Sequence, residues 1–221
     1  MNFNINSVIN NLKKRQPCFV SERHLQVEFA LETAKMWKTI KCFPEYTFKK
    51  YPNEHLDLLI KDNKTNIGVE FKYVQAETNK LVEINNMAYL LKDHSAVDQR
   101  RYDCLDDLSR LEKQKREGLI NEGYLVVITN EPKMWDIEKT RKNVITCDQY
   151  FKMFDGIKAG DKDWKPGTSD GTKGKRKDII TINNDYSKDE VKYNDYSDVT
   201  KLSSNKITKN AIFKYQIIKV K

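Results

Sequence analysis

The chain predicts an α/β fold, a sheet flanked by helices. Three observations carry that expectation: apolar residues recur at helical spacing near the start, two alternating runs fill residues 54–74, and the wholly apolar "YLVVIT" (124–129) follows a long amphipathic stretch. Ile5, Val8, Ile9 and Leu12 share one helical face, and that pattern stops near Pro17. Ser21 is placed to cap a second helix, "ERHLQVEFALETAKMWK", with Glu22 in its first turn. "EYTFKKY" (45–51) alternates and predicts a strand. In "EHLDLLIKDNKTNIGVEFKYV" (54–74) two strands flank the turn-forming "DNKTN".

Further along, "KLVEINNMAYLLK" (80–92) predicts a hairpin, because Asn85-Asn86 tolerates the positive φ of a tight turn. Ser95 with Asp98 three residues later forms a capping-box pattern. It opens a helix with Val97, Cys104, Leu105, Leu108 and Leu111 on one face and an end at Gly118. "YLVVIT" predicts a strand buried on both faces, and "NVIT" (143–146) another. Five of the eight glycines lie between Gly156 and Gly174, with Pro166 and the basic "KGKRK" (173–177), which predicts a mobile loop. "AIFKYQIIKV" (211–220) predicts a strand that returns to the body of the fold. The chain therefore divides into a core over 1–154 and a β-rich extension over 155–221 that does not stand alone.

Composition narrows the function classes. The net charge of +8 favours a polyanionic partner, nucleic acid first. No apolar run approaches the roughly 18 residues of a membrane span, and the N-terminus lacks the charged-then-apolar order of a signal peptide. A cytoplasmic protein without membrane partners is expected. The four cysteines show no CxxC spacing, so free thiols are expected rather than a zinc site or disulfide framework. The three histidines have no ligand spacing, and no Walker A pattern is present.

The chemistry concentrates in 54–74. Alternation puts Leu56, Leu58 and Ile60 on one face of the first strand, and His55, Asp57 and Leu59 on the other. In the second strand Ile67, Val69, Phe71 and Tyr73 share a face, opposite Gly68, Glu70, Lys72 and Val74. A four-residue loop at 62–65 pairs Lys61 with Asn66 and sets Asp57 opposite Glu70, with Cβ atoms about 4.5–5.5 Å apart. Two ionised carboxylates at that separation need a cation or a shared proton. Such an oxygen pair suits Mg²⁺ completed by water, with Lys72 one strand step away. Gly68 is expected to leave space beside Glu70. The alternative is a solvated face with an ordinary ion pair.

"LD" at 56–57 and "EFK" at 70–72, in a hairpin, resemble the PD-(D/E)xK nuclease superfamily, with Leu56 in place of the proline. The order helix, strand, Asp strand, ExK strand, helix, buried strand resembles the core of that family from about residue 20 to 130. The resemblance implies a mixed central β-sheet flanked by helices, restriction-endonuclease-like, and Mg²⁺-dependent hydrolysis of phosphodiesters, with Mn²⁺ able to substitute. Asp57, Glu70 and the backbone carbonyl of Phe71 would hold the metal, and Lys72 would position or help deprotonate the attacking water and stabilise charge on the phosphorane. "SERHLQ" (21–26) is similar to the helix acid element of archaeal-type Holliday junction resolvases, which selects Glu22 with Gln26 over Glu28 and Glu32. The alternative role for Glu22 is interaction with its own helix N-terminus. "DQRRYD" (98–103) loosely resembles the post-motif helix of the exonuclease branch, giving Gln99 and Arg100 as nucleic-acid contacts, beside the alternative of a solvated first turn. DNA is preferred over RNA as substrate. Nucleases that cut both strands often act as dimers, so a homodimer is compatible with this role.

Overall fold

The computed structural model describes residues 3–62, 64–94, 96–136 and 146–221. It is a mixed α/β fold around a six-stranded sheet. Helices α1 (Ile5–Arg15) and α2 (Glu22–Met36) precede strands β1 (Lys41–Thr47), β2 (His55–Lys61) and β3 (Asn66–Val74). A small hairpin, β4 (Val82–Ile84) and β5 (Met87–Tyr89), leads to the long helix α3 (Val97–Arg116) and to β6 (Glu122–Thr129). Then follow β7 (Gly160–Lys162), a short α4 (Asp170–Lys173), β8 (Ile180–Ile182), β9 (Asn194–Asp198) and β10 (Ile212–Lys219). The sheet order is β1-β2-β3-β6-β10-β9, with β3 and β6 parallel and the other neighbours antiparallel. Among the described residues no helix is long and apolar enough to cross a membrane.

Each face of the sheet carries its own core. Ile67, Val69, Phe71 and Tyr73 of β3 pack with α1, α2 and the β4–β5 hairpin. On the other face, Leu125 and Val127 of β6 pack with Cys104, Leu105, Leu108 and Leu111 of α3 and with residues from the 151–191 stretch. The local signals behind these elements hold. The Ser21 hydroxyl accepts from the His24 N–H at 3.1 Å and caps α2. Asn85 and Asn86 take φ of +51° and +62°, the geometry of a type I′ turn. Gly118, just past α3, has φ of +71°. All four cysteines are free thiols.

Several expectations need correction. The first strand runs over Lys41–Thr47, four residues earlier than 45–51, because Lys49, Lys50 and Tyr51 turn away after Phe48. Leu56 packs on the α3 face with Leu59, not with Leu58 and Ile60 on the α2 face. The β1–β2 register skips Glu45 and Asp57, and Glu45 has φ of +51°, so the strand rotates there. Gly68 opens no space beside Glu70: a Cβ there would stand 3.0 Å from Ile120 and 3.3 Å from Leu111, so apolar packing fills it. Ser95 and residues 143–145 of "NVIT" lie outside the described residues, and α3 begins after Ala96 without a side-chain cap.

The glycine- and lysine-rich stretch does not behave as a loose loop. Trp164 is buried and stacked on Tyr102 at 5.8 Å, and its indole N–H donates to the Arg176 carbonyl. Arg176 pairs with Asp103 on α3. One turn beyond the helix centre, buried Glu112 accepts from the backbone N–H and side-chain amide of Asn183 and of Asn184, and from the Tyr186 hydroxyl at 2.8 Å. β9 and β10 complete the main sheet, so the described residues up to 154 hold four of its six strands.

Glu112→Ala removes the acceptor for five donors at once. It should lower stability by about 2–4 kcal/mol, since buried donors lose their partner. Urea unfolding, with hydrogen exchange at Asn183 and Asn184 read beside it, measures this; an unchanged midpoint would mean the 183–186 segment is not held through Glu112.

Candidate active site

The site forms where β2 and β3 stop pairing. Their ladder runs from Lys61↔Asn66 to Leu58↔Val69, the register the loop length predicts. The next pair would be Asp57 with Glu70, but here side chains replace strand-to-strand bonds. The Asp57 carboxylate accepts from the Phe71 N–H at 2.7 Å, and Glu70 Oε2 lies 3.4 Å from the Asp57 N–H. Two residues on, Glu22 Oε2 accepts from the Tyr73 N–H at 2.8 Å. Buried amide groups require acceptors, and on this stretch of β3 carboxylates supply them.

Glu22 reaches that position because the chain before α2 is fixed to β3. The Tyr73 hydroxyl donates to the Phe19 carbonyl at 2.8 Å and accepts from the Phe19 N–H at 3.0 Å. Their rings also meet edge to face at 5.6 Å. Leu25 and Phe29 then pack inward, and Phe29 lies 5.0 Å from Phe71. Gln26 is buried one turn beyond Glu22. Glu28 and Glu32 turn the other way and pair with Arg15 of α1, so they serve helix packing.

Glu70 and Lys72 both point at α3, from which three further charges come: Asp106, Asp107 and Arg110. Lys72 is ion-paired with Asp107, and its ammonium lies 3.2 Å from the Phe71 carbonyl. The Arg110 guanidinium contacts Glu70 Oε1 at 3.0 Å, Asp106 at 3.2 Å, and Asp107. Glu70 is only 1% exposed, and Asp107 3%. Neither Asp107 nor Arg110 was legible as a site residue in the motif. The available signal was Asp107 itself, three residues after Cys104 and four before Leu111, on the stripe that otherwise packs the core.

The electrostatics follow from burial. Four carboxylates (Glu22, Asp57, Glu70, Asp107) and Asp106 at the rim face two cations (Lys72, Arg110), an excess of three negative charges when all are ionised. Burial pushes Glu22 up to about 7, with Asp57 and Asp107 adding to the shift against Lys72 and the Tyr73 N–H bond. Burial also drives Glu70 well above the usual carboxylate range, reinforced by Asp107 and Asp57. Asp57 is raised by burial, partly offset by Lys72 and the Phe71 N–H. Burial opposes the charge on Lys72, but Asp107, Glu22 and Asp57 outweigh it and hold the ammonium above its ordinary range.

The oxygens of Asp57, Glu70 and the Phe71 carbonyl, in a cluster short of positive charge, suit a hard divalent cation. Among the described residues no three acidic, histidine or cysteine side chains converge as a ligand set, so such an ion would rely on the carbonyl and water. The remaining sequence candidates lie apart. Gln99 is engaged within the chain, donating to the Thr172 carbonyl and accepting from Arg176, and Arg100 contacts Asp103 at 3.4 Å. His55 is exposed, with Nδ1 2.8 Å from the Thr47 hydroxyl. No family model, curated protein or solved structure matches this chain.

A raised carboxyl pKa means that the folded state binds an extra proton. For Glu22 the associated stability is present below about 4.5 and is lost as pH rises through about 7. Glu22→Gln should therefore flatten the fall in thermal stability between pH 5 and 8 and raise stability at pH 8 by on the order of 1–3 kcal/mol. A variant that loses stability at pH 8 would mean Glu22 is ionised and fully compensated.

Proposed function

We propose that this chain is a metal-dependent nuclease of the PD-(D/E)xK type that hydrolyses phosphodiester bonds, DNA in preference to RNA. The observation that carries the reading is the convergence of Glu22, Asp57, Glu70 and Lys72 at the separation of β2 and β3, from one helix and two strands. Asp57, Glu70 and the Phe71 carbonyl would hold Mg²⁺ or Mn²⁺, which when bound neutralises phosphoryl oxygens and lowers the pKa of water.

This chain's own residues then divide the proton and charge work. Lys72 stays an ammonium among its carboxylates, so it stabilises charge on the phosphorane rather than removing a proton. Glu22, with a pKa of about 7, is poised near neutral pH to take a proton from the attacking water. Asp107 holds Lys72 in place from α3. The net charge of +8 supports a polyanionic substrate. A second reading, a silent nuclease-like fold that binds nucleic acid or assembles with partners, is favoured by the Arg110 contact that occupies Glu70.

Plasmid, linear duplex, single strands, branched junctions and RNA incubated with Mg²⁺ or Mn²⁺ test both readings. Wild type should cut at least one of these DNA substrates, EDTA should abolish cutting, and Lys72→Ala and Asp57→Ala should each lower the rate by about 10²–10³-fold or more. Inactivity of all three proteins, with salt-dependent binding retained, would select the second reading.

A further inference from the structure

Arg110 is the feature that the proposed chemistry leaves unused. It sits on α3, yet its guanidinium reaches into the β2–β3 gap to Glu70 Oε1, while also touching Asp106 and Asp107. Glu70 is almost wholly enclosed, whereas the Arg110 side chain is 29% exposed and Asp106 43%. The guanidinium thus lies at the rim, already in contact with the more exposed Asp106 at 3.2 Å. Its buried Nε finds no hydrogen-bond partner among the described residues, so the guanidinium is not locked by a complete donor set. An isolated buried carboxylate is expensive, and Arg110 supplies the ion pair that Glu70 makes among the described residues.

We infer that Arg110 is an internal counter-ion that holds Glu70 when no divalent cation is bound, and that metal entry requires its displacement toward Asp106. This rests on the metal-dependent reading above and adds its control: the site guards its own carboxylate, and affinity for metal is set by competition between a guanidinium and the ion. The competition depends on contact and not only on charge, because the planar fork of Arg110 spans three carboxylates in a way that a lysine ammonium cannot.

Calorimetric titration of Mn²⁺ alone into wild type, Arg110→Gln, Arg110→Lys and Glu70→Gln separates the possibilities. Arg110→Gln and Arg110→Lys should both bind Mn²⁺ about tenfold or more tightly than wild type, and Glu70→Gln should abolish the tight site. If Arg110→Lys matches wild type while Arg110→Gln gains, only the local field matters and the displacement idea fails, with the metal site intact. If wild type binds Mn²⁺ through Glu70 and neither Arg110 variant differs from it, the counter-ion role is overturned while the metal-dependent reading stands. If no variant binds Mn²⁺, both fail. The unaltered chain gives a second measurement that needs no folded variant. In ¹⁵N-arginine-labelled protein, the Arg110 Nε–H resonance should move with the same midpoint as Mg²⁺ binding, and a resonance that stays fixed through saturation would overturn the displacement.

Discussion

The exchange of strand-to-strand bonds for carboxylate-to-amide bonds beyond Leu58 and Val69 governs the rest of this structure. A central strand cannot leave its N–H groups unmet inside a protein. On this stretch of β3, Asp57 answers for Phe71 and Glu22 answers for Tyr73, one from the neighbouring strand and one from a helix. The gap this creates draws acidic groups into a poorly hydrated space, which is costly unless charge or protons compensate. Lys72 and Arg110 offset part of the cost, and the elevated pKa of Glu22 and Glu70 marks the part left over. A proton and a divalent cation are two solutions to the same deficit, so the sheet's own need for hydrogen-bond acceptors gathers the groups on which the proposed chemistry rests.

Helix α3 supplies the opposing wall, and its position is fixed from outside. Asp107 and Arg110 face the gap, while Glu112 holds the 183–186 segment. Toward the helix start, Arg101 pairs with Asp148 and donates to the Lys133 carbonyl, and Asp103 and Gln99 bind Arg176. The C-terminal stretch therefore braces the helix on which Lys72 depends. Residues far from the gap in sequence thereby hold the helix that carries Asp107 and Arg110.

Much of this arrangement was readable from residue order alone. Period-two alternation placed Glu70 and Lys72 on one side, loop length set the β2–β3 register, and Asn85-Asn86 marked a hairpin turn. Those features are local: each depends on neighbours within a few residues. Leu56 escaped because a skipped pair at Glu45 and Asp57 rotates the strand, a property of two paired strands and not of either. Arg110 and Asp107 escaped because their meaning arises only when a helix forty residues away lies over β3. Gln99 was read as reaching outward, but its amide is engaged by a segment more than seventy residues later.

The direction in which the cations face bears on the choice between an enzyme and a binding module. A surface that holds nucleic acid by charge gains most when lysines and arginines are exposed and unpaired, because neutralising phosphates releases counter-ions. Here Lys72 is turned inward, only 15% exposed, and locked to a nearly buried aspartate. Burial of that kind weakens general attraction to a backbone, while it strengthens the effect of one positive charge on one developing negative charge in a low-dielectric gap. Glu22 adds a proton acceptor tuned near neutrality, which a passive contact does not require. The interior polarity of this cluster therefore favours the proposed chemistry at a single phosphate over retention of many, with Arg110, its side chain 29% exposed, as the cation at the rim.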